Sequence, residues 1–190
     1  MQRVNLLYAA TRLFEQKKVF REVGNRYNSF CSPYFFHPLC ESGDNIMATI
    51  PTISSGVAGP LGAIHLPRLW SKLRLSEAGQ LPADYPECGA GFDQMVLDGL
   101  GIDRDAAVAY VKDNKATYND FEGWVVEQRG GSISQEEIQT SNEAIRGYNH
   151  DDETRSGILS AAGKGDDGSI LDAVNLNNLD DWTELHNTLS

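Results

Sequence analysis

The sequence predicts an all-α fold, a compact bundle of about five to seven short helices with no extensive sheet. Apolar residues between Leu66 and Tyr148 recur at the i, i+3, i+4, i+7 spacing of amphipathic helices, and capping residues precede several of these stretches. No segment shows the alternation of β-branched residues that is typical of a strand. With 190 residues, of which 41% are hydrophobic, the chain is long enough to bury a core of its own.

The first predicted helix carries its apolar stripe on Leu66, Leu69, Trp70 and Leu73. Pro67 falls in its first turn, where a missing N–H costs little, and Arg68 and Lys72 fall on the opposite face. A second helix is predicted from Phe92 to Leu100, because Gly101-Ile102 has the glycine-then-apolar pattern of a Schellman stop.

Capping residues predict the next three helices. Asp103 can cap the third. Thr117 with Asp120, and Ser134 with Glu137, have the spacing of a capping box ahead of apolar stripes, and the later box predicts a longer helix across residues 135–148.

The C-terminal forty residues contain three acidic pairs. Asp is a favoured N-cap, so Asp151-Asp152, Asp166-Asp167 and Asp180-Asp181 predict the starts of three short helices. The last of them would fold back on the core through Trp182, Leu185 and Leu189.

Residues 1–46 differ in composition from the rest and predict a basic amphipathic helix over residues 4–20. Two interpretations remain open: a presequence for an organelle, or an upstream extension with the native start at Met47. We favour the second, which leaves residues 47–190 as a single helical domain.

Composition disfavours several classes of function. A formal charge of −11 disfavours nucleic-acid binding, and no run of apolar residues is long enough to predict a membrane span. The three cysteines, Cys31, Cys40 and Cys88, suggest reduced thiols and a cytoplasmic protein. The four histidines are scattered without metal-ligand spacing, so we expect neither a metal nor another cofactor.

One candidate catalytic set surrounds Cys88. A thiol beside a glycine-rich turn and a helix N-terminus can have a lowered pKa, His65 could act as its base, and Asp93 follows closely. The alternative is structural: Cys88 is a small buried residue, His65 begins a helix and Asp93 caps one.

A candidate binding set consists of Arg68, Lys72 and Arg74. Arg68 and Lys72 lie one helical turn apart and could hold a carboxylate or phosphate, while Arg74 points elsewhere. Alternatively, these cations form ordinary exposed ion pairs with the surplus of acids.

The order and spacing of several short motifs resemble a bacterial family, the domain of unknown function 5069. The motifs are Leu66-Pro67-Arg68-Leu69 with Lys72 and Arg74, Asp93-Gln94, Leu100-Gly101-Ile102-Asp103, Asp120 with Trp124-Val125, Glu136-Glu137-Ile138 with Asn142, and Asp181-Trp182. The resemblance covers roughly residues 59–190. In that family the cysteine lies closer to the Asp-Gln pair than Cys88 does here, which weakens a catalytic inference.

The resemblance implies a small helical bacterial protein and brings no established activity. Two hypotheses of function follow. The first is a non-catalytic module that binds a protein or a small anionic ligand through the face bearing Arg68 and Lys72. The second is a small thiol-dependent enzyme that uses Cys88 with His65 and Asp93. We favour the first, because no convincing catalytic set is present.

Overall fold

The computed structural model describes residues 48–83 and 85–190. This part of the chain forms seven α-helices and no β-strand, so the predicted all-α class is confirmed. The helices are α1 (Leu66–Glu77), α2 (Phe92–Leu100), α3 (Arg104–Asn114), α4 (Tyr118–Gln128), α5 (Gln135–Arg146), α6 (Asp152–Ala161) and α7 (Ala173–Leu189). The predictions for residues 1–46, including the helix over 4–20, and the start at Met47 fall outside the described residues.

Both predicted capping boxes form. Thr117 and Ser134 each accept a hydrogen bond from the backbone N–H three residues further on, and the carboxylates of Asp120 and Glu137 accept one from the cap residue's own N–H. These reciprocal bonds satisfy donors that a helix start otherwise leaves without partners.

The apolar faces of the helices meet in one core. Its largest fully buried side chains are Ile64, Leu66, Leu69, Leu73, Val96, Leu97, Leu100, Val111, Phe121, Val125, Ile145 and Leu176. Burying a side chain of this size contributes about 1.5–3 kcal/mol, so this core is the main source of stability.

Helix α2 packs closely on α5. A Cβ at Gly99 would lie within 2.3 Å of Ser141 Oγ, so only glycine allows the two helices to approach this far. The predicted stop after α2 is confirmed, because Gly101 is left-handed with a φ of 64° and the Ile102 N–H bonds back to the Leu97 carbonyl at 2.8 Å.

The segment before α1 is held by polar side chains of later helices. Asn142 of α5 accepts a hydrogen bond from the Ile64 N–H at 2.9 Å and donates one to the Gly62 carbonyl at 2.8 Å. Glu122 of α4 accepts one from the Leu61 N–H at 2.9 Å. These bonds fix the chain just before His65, the N-cap residue of α1.

The C-terminal region differs from its prediction. Asp151 caps α6 as expected, but Asp166-Asp167 lies in a loop. The acidic pair Asp180-Asp181 does not begin a helix: it lies inside α7, which is capped by Asp172. The helix continues through this pair because its buried member, Asp181, is neutralised by a cation of α1.

Two aromatic residues that the sequence assigns to amphipathic helices are exposed. Trp182 is 58% exposed, because α7 turns the side bearing Leu176 and Asp181 inward. Tyr148 is 46% exposed, because α5 ends at Arg146 and the chain leaves the helix before it. No helix among the described residues combines the length and the apolarity that crossing a membrane requires.

Candidate functional site

An open cleft of about 350 Å³ lies between α1, the loop over residues 85–91, the first turn of α2, and α7. Its charged lining consists of two cations and four carboxylates, belonging to Arg68, Lys72, Asp93, Asp180, Asp181 and Glu184. Charged side chains rarely leave water unless they are paired, so a concentration of them around one cleft marks it as the candidate site.

Asp93 is the centre of one buried network. Its Oδ1 lies 2.8 Å from His65 Nε2, and its Oδ2 accepts hydrogen bonds from Lys72 Nζ at 2.5 Å and from the Gly89 N–H at 2.6 Å. Burial raises the pKa of Asp93, but the hydrogen bond with His65 and the charge of Lys72 outweigh burial and bring the pKa to about 2. Asp93 is therefore an anion at neutral pH.

His65 is neutral at the same pH. Its side chain is buried, and burial lowers its pKa below the usual 6.5, although the hydrogen bond with Asp93 and the charge of that carboxylate act in the opposite direction. A neutral imidazole beside a carboxylate donates its Nε2–H, which leaves Nδ1 as an acceptor. The buried Nδ1 has no hydrogen-bond partner among the described residues.

Arg68 is the centre of the second network and joins three parts of the chain. Its guanidinium forms a bidentate pair with Asp181 of α7, with N···O distances of 2.7 and 2.9 Å. It also donates to the carbonyls of Pro51 and Ile53, at 2.7 and 2.8 Å, and to the Tyr85 hydroxyl at 2.5 Å. The Tyr85 hydroxyl in turn donates to Asp181 at 2.8 Å, which closes the network.

Helix α7 forms one wall of the cleft through Asn177, Asp180 and Glu184. The Asn177 side-chain oxygen lies 2.7 Å from His150 Nε2. Asp180 accepts no hydrogen bond from any described residue. Burial raises its pKa, the neighbouring Asp181 raises it further, and His150 and Arg68 lower it only in part.

The structure brings together four of the six residues that the sequence singled out: His65, Arg68, Lys72 and Asp93 all line the cleft. The alternative that Arg68 and Lys72, on the face opposite the apolar stripe, form exposed ion pairs is wrong. Each is only 5% exposed, because distant carboxylates compensate their charges and so allow them to be buried.

The other two candidates do not line the cleft. Arg74 pairs with Glu77 of its own helix, with an N···O distance of 2.8 Å. Cys88 packs in the core with 5% exposure, and its backbone carbonyl accepts a hydrogen bond from Arg104. Burial raises the pKa of the Cys88 thiol, and the Asp93 carboxylate raises it further. This electrostatic environment disfavours the thiolate that a nucleophile needs.

Sequence reasoning missed Tyr85, Asn177, Asp180 and Asp181 as site residues. The sequence shows the Asp180-Asp181 pair, but a helix start explains this pair as well as a binding site does. Two adjacent carboxylates inside an amphipathic helix indicate that a cation elsewhere in the chain pairs with one of them. This pattern does not identify the residue that carries the cation.

A second groove, of about 590 Å³, lies between α2 and α5 and is lined in part by Met95, Thr140 and Ala144. Of its three carboxylates, those of Asp98 and Glu137 already accept hydrogen bonds from nearby side chains, and the third belongs to Glu136. No group of three or more His, Cys, Asp or Glu side chains among the described residues is arranged to hold a metal ion.

Comparison with known families gives one match. A family model described as "domain of unknown function (DUF5069)" matches residues 54–182, which is more than half of the 190-residue chain. The match includes α1 to α6 and α7 up to Trp182, and therefore every side chain of the two networks, while the carbonyls of Pro51 and Ile53 lie before it. No curated protein matches the chain.

Proposed function

The chain belongs to the family described as domain of unknown function (DUF5069), and we propose that it is a helical binding module whose cleft takes a small polar ligand without chemical turnover. The pairing of the charged groups at the base of the cleft is the observation that carries this proposal. Arg68, Lys72 and Asp93 are held by one another or by Asp181 rather than left free to react.

A cleft whose charged side chains are already paired is preorganised for binding. Side chains that are fixed by hydrogen bonds before the ligand arrives lose little entropy when it binds, and this favours affinity. The volume of about 350 Å³ falls within the range of small-molecule sites. As the cysteine content predicts, we place the protein in the cytoplasm, and the family resemblance implies a bacterial source.

Two alternatives compete with this proposal. A protein partner or a small anionic ligand would bind at Arg68 and Lys72, as the sequence suggests. A thiol-dependent enzyme would use Cys88 with His65 and Asp93. The 2.8 Å contact between His65 and Asp93 favours the enzyme, whereas the raised pKa of the Cys88 thiol opposes it.

A ligand screen with the full chain tests the proposal. Compounds that raise Tm are titrated into ¹⁵N-labelled protein, and we expect them to shift the amide signals of Gly89, Gly91 and Asn177, which line the cleft. The amides of the exposed Gly123 and Gly157 are internal controls, since neither residue lines the cleft.

Mass spectrometry of each bound compound after prolonged incubation completes the test, and we expect every compound to be recovered unchanged. Ligands that shift only amides elsewhere, such as those of Met95 and Thr140 in the second groove, would contradict the cleft as the binding site. Conversion of a bound compound would contradict the absence of turnover.

A further inference from the structure

The cleft holds more negative than positive charge, and this excess indicates the class of ligand. Resting on the proposed function, we propose that the ligand is a compact organic cation with an ammonium or guanidinium group, held by Asp180 on α7. Arg68 pairs with Asp181 and Lys72 pairs with Asp93, and His65 is neutral, so the negative charge of Asp180 has no ion pair among the described residues. A bound cation would offset part of this excess.

Arg68 has no terminal donor left for an anion. Its two terminal nitrogens carry four N–H groups, and they already serve the carbonyls of Pro51 and Ile53, the Tyr85 hydroxyl and both oxygens of Asp181. An incoming carboxylate or phosphate would have to displace Asp181, which is buried and held by two bonds from the guanidinium. Displacing that pair would strand a buried charge.

The charge of Lys72 is compensated as well. Its Nζ lies 2.5 Å from Asp93 Oδ2 and 5.4 Å from the centre of the Tyr85 ring. Its side chain is 6% exposed. An anion that approached Lys72 would also approach the Asp93 carboxylate, so the attraction and the repulsion largely cancel.

Asp180, unlike Arg68 and Lys72, has no hydrogen-bond partner among the described residues. It lines the cleft and is partly buried. The carboxylate of its neighbour Asp181 also lines the cleft and raises the pKa of Asp180. Like charges this close repel each other, and a cation bound at Asp180 would relieve the repulsion and supply the missing hydrogen bonds.

His65 gives an independent indication. Its buried Nδ1 is an acceptor without a partner among the described residues, and His65 is part of the cleft lining. A lone acceptor is matched by an N–H donor and not by a carboxylate or phosphate oxygen. Two residues of the cleft lining, Asp180 and His65, thus each carry an acceptor without a partner among the described residues, and a ligand that donates hydrogen bonds matches both.

Small organic cations and an anion of similar size test whether the cleft prefers a positively charged ligand. The full chain is titrated at pH 7 with n-butylammonium and with 1-butylguanidinium, and in parallel with butyrate, while the ¹⁵N amide signals of Gly89, Gly91 and Asn177 are followed. We expect saturable shifts with one or both cations and none with butyrate.

Asp180→Asn keeps the shape of the side chain and removes its charge. We expect this variant to weaken cation binding by roughly tenfold or more, because the ligand loses its charged partner. Asp113→Asn is the matched control: it makes the same change of net charge at an exposed position of α3 that does not line the cleft, and it should bind like the parent.

The free Asp180→Asn protein should be at least as stable as the parent, with a Tm higher by about 1–3 °C, since it no longer holds an uncompensated charge. This readout distinguishes lost binding from lost folding. Unchanged affinity in Asp180→Asn overturns the cation proposal. Saturation by butyrate alone also overturns it, yet leaves the cleft as a binding site. If the ligand screen finds compounds without positive charge that bind in the cleft, and neither cation gives saturable shifts, the cation proposal is wrong but the proposed binding function stands.

Discussion

His65 is the most constrained single residue of the site. Its φ of 66° lies in the left-handed region, which residues other than glycine adopt uncommonly, although Asn, Asp and His do so more often than the rest. The conformation is held from three sides: the His65 N–H bonds to the Val57 carbonyl at 3.1 Å, its own carbonyl accepts from Leu69 at 3.0 Å, and its ring bonds to Asp93. Strain that is held so firmly is typical of functional positions.

The buried imidazole makes the stability of the fold depend on pH. Burial lowers the pKa of His65, the charges of Arg68 and Lys72 add to this effect, and Asp93 opposes it. Below pH 6.5 the unfolded chain therefore binds a proton at His65 that the folded chain does not yet accept, so the free energy of unfolding falls as the pH falls. We expect urea denaturation between pH 7.5 and 5 to show this loss.

The variant His65→Asn tests the assignment, because Asn tolerates the left-handed backbone but does not titrate. We expect a flatter dependence of the free energy of unfolding on pH in this variant. His186→Gln removes a histidine exposed to solvent and should leave the dependence unchanged. An equally steep curve in His65→Asn would show that another group causes the effect.

The raised pKa of the Cys88 thiol gives a second prediction at this scale. In a Cys31→Ser/Cys40→Ser background, only Cys88 can react with iodoacetamide. We expect the native protein to react at pH 7.5 roughly tenfold or more slowly than N-acetylcysteine, because the thiol is buried and its thiolate is disfavoured. The urea-unfolded chain provides the control and should react at the rate of the free thiol. A native rate above that rate would favour the thiol-dependent enzyme.

At the scale of the element, the sequence correctly predicts the features that depend on contacts between neighbouring residues. The capping box at Ser134 and Glu137 and the stop at Gly101 join groups no more than five residues apart, so their patterns are sufficient to predict them. The stripe of α1 likewise predicts the apolar contacts of Leu69 and Leu73. These elements account for most of the predicted fold.

The errors fall where a distant contact overrides a local pattern. Helical periodicity places Arg68 on the face opposite the apolar stripe, and only its pairing with Asp181, 113 residues further along the chain, allows it to be buried there. The same contact explains why α7 runs through Asp180-Asp181, where the sequence predicts a new helix. No pattern within α1 or α7 identifies its partner, so half of the site could not be predicted.

At the scale of the whole molecule, Arg68 connects parts of the chain that are far apart in sequence. It joins α1 to the segment at Pro51 and Ile53, to the loop at Tyr85, and to α7 through Asp181. Buried ion pairs of this kind contribute less to stability than their geometry suggests, because both charges lose their hydration, yet breaking one side leaves the other uncompensated. We therefore expect Arg68 and Asp181 to be strongly coupled, although the pair adds little to the free energy of unfolding in total.

A double-mutant cycle measures this coupling. We expect Arg68→Leu and Asp181→Leu each to lower the free energy of unfolding by about 3–5 kcal/mol, since each strands one buried charge, and the double variant to lose clearly less than the sum. Urea denaturation provides the values, and Arg68→Lys and Asp181→Asn replace the leucine variants if these do not fold. Asp152→Leu, which removes a 93% exposed side chain and its pair with Arg155, is the control and should cost about 1 kcal/mol or less. Additive losses across the cycle would mean that Arg68 and Asp181 stabilise the fold independently, and that α7 is held in place by its packing on α5 and α6.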